Sequence, residues 1–207
     1  MKTRAEIKEE AKTGVRYQYG MALGVFLLFT LLSSVIPGIG SLLLMPPLLV
    51  GYSAFSMKVF RREQATVNEF FEKGFLDYGR SLAGVLWMYL FTFLWSLLLI
   101  VPGIVRAIAY SMTPYILAEC PHVAPTEALK LSMRMTQGYK GDIFVLFLSF
   151  IGWMILSGLT GGLLYLLYVG PYIHTSMAGL YMELRENALE KGAVRREELW
   201  PGVPAGV

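Results

Sequence analysis

An all-α membrane bundle of six transmembrane helices is the fold this sequence predicts, and three observations predict it. Over half of the residues are hydrophobic (55%) and only 16% are charged, with a mean hydropathy of +0.53. A soluble domain of 207 residues has too little interior for that much apolar surface, so lipid has to be part of its solvent. The apolar residues fall into six runs, each long enough for a helix across ~30 Å of hydrocarbon. The charged residues collect in the stretches between alternate runs, as helical hairpins anchored from one side require.

The elements follow in order. Residues 1–16, MKTRAEIKEEAKTGVR, carry a thin apolar stripe of Ala5, Ile7 and Ala11, and Thr3 with Glu6 has the capping-box spacing. This predicts a short helix at the membrane surface. The first span is 17–36, with Gly20 and Gly24 at the four-residue spacing that lets helices approach closely. It is long enough to cross, and Ser33-Ser34-Val35 makes a poor cleavage site, so a retained first helix is expected rather than a cleaved signal. Pro37-Gly38-Ile39-Gly40 turns the chain into the second span, 41–60, where Pro46-Pro47 is expected to break or delay the helix. Between 61 and 79 the chain is polar; Thr66 and Glu69 repeat the capping spacing, and Phe70, Phe71 and Phe75 give a second surface helix its apolar side. The third span is 81–101 and the fourth, after Pro102-Gly103, is 103–119. Pro125-Thr126-Glu127 starts a third amphipathic helix, with Leu129, Met133 and Met135 opposed by Lys130 and Arg134. The fifth span is 142–159, Gly161-Gly162 turns the chain, and the sixth is 162–183, bent near Pro171. Residues 1–185 thus form one membrane domain. The tail, 186–207, is charged and helical in pattern as far as Trp200-Pro201, and PGVPAGV has the composition of a disordered end.

The order repeats as surface helix, tyrosine-glycine junction, span, tight break, span. Thr3, Thr66 and Thr126 open the three units, and Tyr19-Gly20, Tyr78-Gly79 and Tyr139-Lys140-Gly141 mark the junctions, which reads as three helical-hairpin repeats of one orientation. One side of such a bundle holds every Asp, Glu, Lys and Arg except Arg106. The positive-inside rule makes that side cytoplasmic, with both termini on it and Tyr17, Tyr78 and Tyr139 as interfacial anchors. Only tight turns project on the other side, which excludes an external receptor domain.

Several positions carry groups with chemistry. Counting inward from the cytoplasmic ends places Tyr52-Ser53, Tyr110-Ser111 and Thr175-Ser176, with Thr113 and His174 beside them, at a depth of roughly 12 Å, near the midplane. Each group follows a proline, Pro47, Pro102 or Pro171. Broken helices with polar groups at that depth build transporter sites; equally, hydroxyls there satisfy carbonyls that prolines leave free, or pack between helices. Arg106 either snorkels to outer headgroups or contacts an anion or lipid phosphate inside the bundle. His174 with its neighbouring hydroxyls suits a proton relay or a packing role. It does not form a nucleophile pair with Ser176, because residues two apart on a helix point in different directions. Glu119, Asp142 and Glu183 sit at span ends, where water is expected to solvate them. The single cysteine, Cys120, excludes an internal disulfide, and Pro121-His122 gives no metal-ligand spacing. No phosphate-cradling loop and no HExxH occurs, so nucleotide hydrolysis and zinc proteolysis have no support and neither cofactor nor metal is expected. The net charge of +3 lies where lipid headgroups, rather than nucleic acid, would meet it.

The stretches YSMTPYILAE (110–119) and EALKLSMRMTQGYKGDIFVLFLSFIGW (127–153), the leader TRAEIKEEAK and the Gly170-Pro171-Tyr172 element carry a resemblance to a bacterial family of integral membrane proteins known as domain of unknown function number nine hundred seventy-five. The resemblance covers nearly everything from Thr3 to Arg185 and implies a multi-pass protein of the bacterial cell membrane, without an activity, cofactor or catalytic residue to carry over. More distantly, the arrangement is similar to the membrane portion attached to some glycerophosphodiester phosphodiesterases, whose hydrolase domain has no counterpart here. The residues therefore lead to a non-enzymatic membrane protein that binds lipid, a membrane-protein partner or further copies of itself. The alternative is a small gradient-driven transporter or channel using the midplane positions.

Overall fold

The computed structural model describes residues 2–35 and 39–200. The turn expected around Pro37-Gly38 and the PGVPAGV end lie outside the described residues. All regular structure among the described residues is helical: α1 (Arg4–Tyr17), α2 (Tyr19–Val35), α3 (Ile39–Arg61), α4 (Val67–Phe75), α5 (Tyr78–Leu98), α6 (Ile100–Tyr110), α7 (Thr113–Glu119), α8 (Pro125–Met135), α9 (Lys140–Leu148), α10 (Ile151–Leu159), a π turn (Tyr165–Val169), α11 (Gly170–Glu190) and α12 (Arg196–Leu199). Three stretches are helical and apolar over enough length to cross a membrane: Gly40–Arg61, Tyr78–Leu97 and Lys140–Leu159, the last joining α9 and α10. A fourth arises if α1 and α2, which meet at a 95° bend, are one broken span.

The proline-containing runs differ from expectation in an instructive way. The helix α3 passes through Pro46 and Pro47 without interruption. Pro47 has no N–H for the Leu43 carbonyl four residues back, but the Tyr78 hydroxyl donates to that carbonyl at 3.2 Å. The same solution appears at Pro171, whose missing N–H leaves the Leu167 carbonyl to accept from the Tyr19 hydroxyl at 2.9 Å. The fourth expected span, in contrast, is divided into α6 and α7 at Ser111-Met112. There Pro114 removes the donor for the Tyr110 carbonyl, and Ser132 of α8 takes over neighbouring backbone groups: its hydroxyl donates to the Ala109 carbonyl at 2.7 Å and accepts from the Met112 N–H at 3.2 Å.

The three amphipathic helices form where their caps predict, but their apolar stripes face protein. In α1 the capping box closes, with Thr3 N–H donating to Glu6 at 2.6 Å and Glu6 N–H to the Thr3 hydroxyl at 3.3 Å. Ile7, Ala11 and Val15 are fully buried, whereas Ala5 is exposed. In α4 the Thr66 N–H donates to Glu69 at 3.2 Å; Phe70 is buried and Phe71 exposed. The α3–α4 approach is set by glycine: a Cβ on Gly51 would lie 2.0 Å from the Phe70 carbonyl oxygen, and one on Gly74 2.3 Å from that of Pro47. In α8, Ala128, Leu131, Ser132 and Met135 are buried. The stripes pack against neighbouring helices: α1 against α11 and α3, α4 against α3, and α8 against α5 and α7. The chain beyond α11 also folds back: Val194 and Leu199 join the core and Arg134 holds Glu198 at 2.8 Å.

Candidate functional site

The polar residues expected to share one site fall in two places. Tyr52 is buried among aromatic rings between α2, α3 and α11, with centroids 4.9 Å from Phe29 and 4.8 Å from His174, the latter edge-on. His174 also meets Phe26 and Phe29, each at 6.1 Å. On these helices Ser53 donates to the Leu49 carbonyl and Ser176 to the Tyr172 carbonyl, both at 2.8 Å, and Thr175 is buried. These hydroxyls serve their own helices. The second place is the α6–α7 break. Tyr110 is buried with its ring 6.5 Å from Phe91, and Ser111 donates to the Ile108 carbonyl at 2.8 Å. Thr113 is fully buried with no hydrogen-bond partner for its hydroxyl among the described residues.

A third constellation was not anticipated. Glu119, at the end of α7, accepts from Arg61 of α3 at 3.1 Å and from the Tyr181 hydroxyl of α11 at 2.7 Å, and pairs closely with Arg185 of α11. Its side chain is 14% exposed and that of Arg185 12%, so the solvated glutamate expected at the span end is instead enclosed and neutralised by protein. Two arginines and a tyrosine supply the charge and hydrogen bonds that burial of a carboxylate demands. A signal for this was present: Arg61 and Glu119 follow Tyr52 and Tyr110 at the same spacing, and Arg185 follows Thr175 at one residue more. The end of α7 is closed by Arg80, which donates to the carbonyls of Leu117 at 2.5 Å, Cys120 at 3.0 Å and Val123 at 3.2 Å. Beside the cluster a cleft of about 160 Å³ lies between α3, α4 and α7, where Lys58 pairs with Glu69.

Arg106 has a different environment. Its guanidinium lies over the Trp95 ring at 4.4 Å and meets the Met133 sulfur at 3.3 Å. No carboxylate lies within ion-pair distance of it among the described residues. No group of three or more potential metal ligands occurs among the described residues. An open apolar groove of about 630 Å³ lies between α3 and α5, lined by Leu42, Leu86, Trp87, Leu90 and Phe93.

Residues 85–188, from within α5 to near the end of α11, match the family described as Protein of unknown function (DUF975). The chain belongs to that family. The matched segment contains Arg106, the α6–α7 break, Glu119 and Arg185, so most of the polar constellations lie in the part common to the family's pattern, whereas Arg61 and Tyr52 lie before it. No curated protein and no solved structure matches the chain.

Proposed function

We propose that this family member is a non-enzymatic, multi-pass protein of the bacterial cell membrane that binds lipid or a membrane partner. Six spans in three hairpins, with both termini cytoplasmic, are the arrangement in which it does so. The observation that carries this reading is where apolar surface is exposed. The windows Tyr78–Leu97 and Lys140–Leu159 are only 17% and 22% buried despite mean hydropathies of 1.2 and 2.0. Faces bearing Phe93, Leu97, Ile155 and Leu159 need lipid or another apolar surface against them. Three hairpins are supported by the antiparallel run of α5 against α6 and α7, where Gly103 abuts Ser96 and Gly84 abuts Leu117. They are supported also by the convergence of Arg61, Glu119 and Arg185 from the ends of the second, fourth and sixth expected spans. Alkaline carbonate extraction of membranes tests the location, with the protein expected in the pellet; release into the supernatant counts against it. Single cysteines placed at Arg16 and Gly161 in a Cys120→Ser background test the topology, since only the second should react with an impermeant reagent from outside.

A second reading, a gradient-driven transporter, draws on the α6–α7 break and the buried, unpartnered Thr113 hydroxyl. Broken helices expose backbone groups that coordinate transported solutes. Under this reading Thr113→Val abolishes a solute flux in proteoliposomes while leaving folding intact. Under the leading reading it changes neither.

A further inference from the structure

Most arginines of the chain have their charge answered by protein. Arg4, Arg61, Arg80, Arg134, Arg185 and Arg195 each lie within 4.0 Å of a carboxylate. Arg106 does not, and its surroundings make that exceptional. It sits half-buried on the face of α6 that also carries the buried Gly103, Ala109 and Tyr110, between Trp95 of α5 and Met133 of α8, with Val105 beside it in the chain 38% exposed. On the membrane reading, a half-buried guanidinium in this apolar segment without a carboxylate beside it is costly and acquires a counter-charge or water. The side chain is also positioned: Trp95 supports its flat face and Met133 takes one N–H. A guanidinium has five donors in a planar fork, so stacking on an indole leaves its edge free for a bidentate anion.

We propose that Arg106, oriented by Trp95, binds the phosphate group of a membrane phospholipid. The inference rests on the membrane reading. A phospholipid satisfies both halves of the environment, because its phosphate accepts two parallel N–H bonds from the fork while its acyl chains cover the exposed apolar surface of the α5–α6 pair, where Phe93 and Val105 are 64% and 38% exposed. A free solute anion would leave that apolar surface uncovered, and a carboxylate partner from the chain is ruled out by geometry among the described residues.

The test is lipid binding to the purified full chain in detergent, read by native mass spectrometry. The probes are phosphatidylglycerol and a neutral diacyl glycolipid with the same chains but no phosphate. Wild type should bind phosphatidylglycerol about tenfold more tightly than the glycolipid, the size expected for a charged bidentate contact. Arg106→Gln should abolish the preference, Arg106→Lys should retain part of it, and Trp95→Leu should weaken it through loss of orientation. An unchanged preference in Arg106→Gln, with cooperative melting preserved, overturns the proposal. So does equal binding of both lipids by wild type, and so does loss of the preference on adding millimolar inorganic phosphate, which would mark a soluble anion as the ligand. Carbonate extraction of wild type and Arg106→Gln keeps the two ideas apart. Both chains staying in the pellet while the lipid preference is absent removes the phosphate site and leaves the membrane reading in place; release of wild type removes the membrane reading itself.

Discussion

The windows Gly40–Arg61 and Tyr78–Leu97 have almost the same mean hydropathy, 1.4 and 1.2, yet the first is 61% buried within the protein and the second 17%. Apolarity therefore reports that both helices avoid water, and says nothing about what they prefer instead. The difference lies in the minority residues. The buried helix α3 carries Gly51, which allows a backbone-close neighbour, and the buried Tyr52, Ser53 and Ser56, of which Ser53 bonds its own helix. The exposed face of α5 carries Trp87, Leu90, Phe93, Leu94 and Leu97, large side chains that are 41–73% exposed. Under the proposed membrane reading, small and polar residues mark the packing surface and bulky ones the lipid-facing surface.

This contrast can be broken experimentally. The largest effect is expected at the junction of the buried helices. Glu119→Ala removes the partner shared by Arg61, Tyr181 and the enclosed Arg185, leaving Arg185 to the more exposed Glu186, and should destabilise the fold by about 3 kcal/mol, measured by unfolding in mixed detergent, whereas Leu97→Ala on the exposed side should be nearly neutral there. Equal sensitivity at the two positions would contradict the division. Next comes Gly51→Val, in which the new side chain meets the α4 backbone and should cost about 2–3 kcal/mol. Gly152→Val on α10, where nothing lies within 4 Å of the added Cβ, should leave the melting temperature unchanged. Tyr78→Phe, which removes the donor to the Leu43 carbonyl, is expected to cost about 1 kcal/mol; a value near zero would mean that another donor replaces it. Smallest is Glu198→Gln in the folded-back tail. A hydrogen bond from Arg134, then one from the Arg195 N–H, holds the Glu198 carboxyl below its usual range. Because the folded-state value is the lower one, the stabilisation is present above about pH 4.3 and is lost as pH falls through the folded value. It amounts to less than about 1 kcal/mol, so limited proteolysis after residue 190 should accelerate on acidification in wild type and be insensitive in the variant.

What was legible in the sequence was local. The Thr3–Glu6 box, the α4 start at Thr66-Val67 and the helix beginning at Pro125 are formed by residues three or four positions apart, and the structure has each of them. Continuity through Pro46-Pro47 was not legible, since the Leu43 carbonyl that Pro47 leaves free is met by Tyr78, 35 residues beyond Leu43. The enclosure of Glu119 depends on partners 58 and 66 residues away, and a carboxylate at the end of an apolar run looks the same whether water or arginine awaits it. The amphipathic stripes were legible as stripes, but the surface they cover was not. Phe70 pairs with protein because Gly51 of α3 makes room for the α4 backbone, and periodicity within one helix carries no record of that. Among the expected site residues, Tyr52 and His174 do meet, whereas Tyr110, Ser111 and Thr113 belong to the α6–α7 break, because α8 inserts Ser132 there.

The hydroxyl of Tyr19 bonds a carbonyl that lies 148 residues later in the chain. On the ribosome that oxygen does not yet exist when the first apolar helix is made, so the Tyr19 hydroxyl bonds water or other groups until the turn before α11 has been synthesised. The bond thus ties completion of synthesis to closure of the bundle. A chain truncated before Leu167 should persist as an open assembly and be degraded sooner in pulse-chase than the full-length protein.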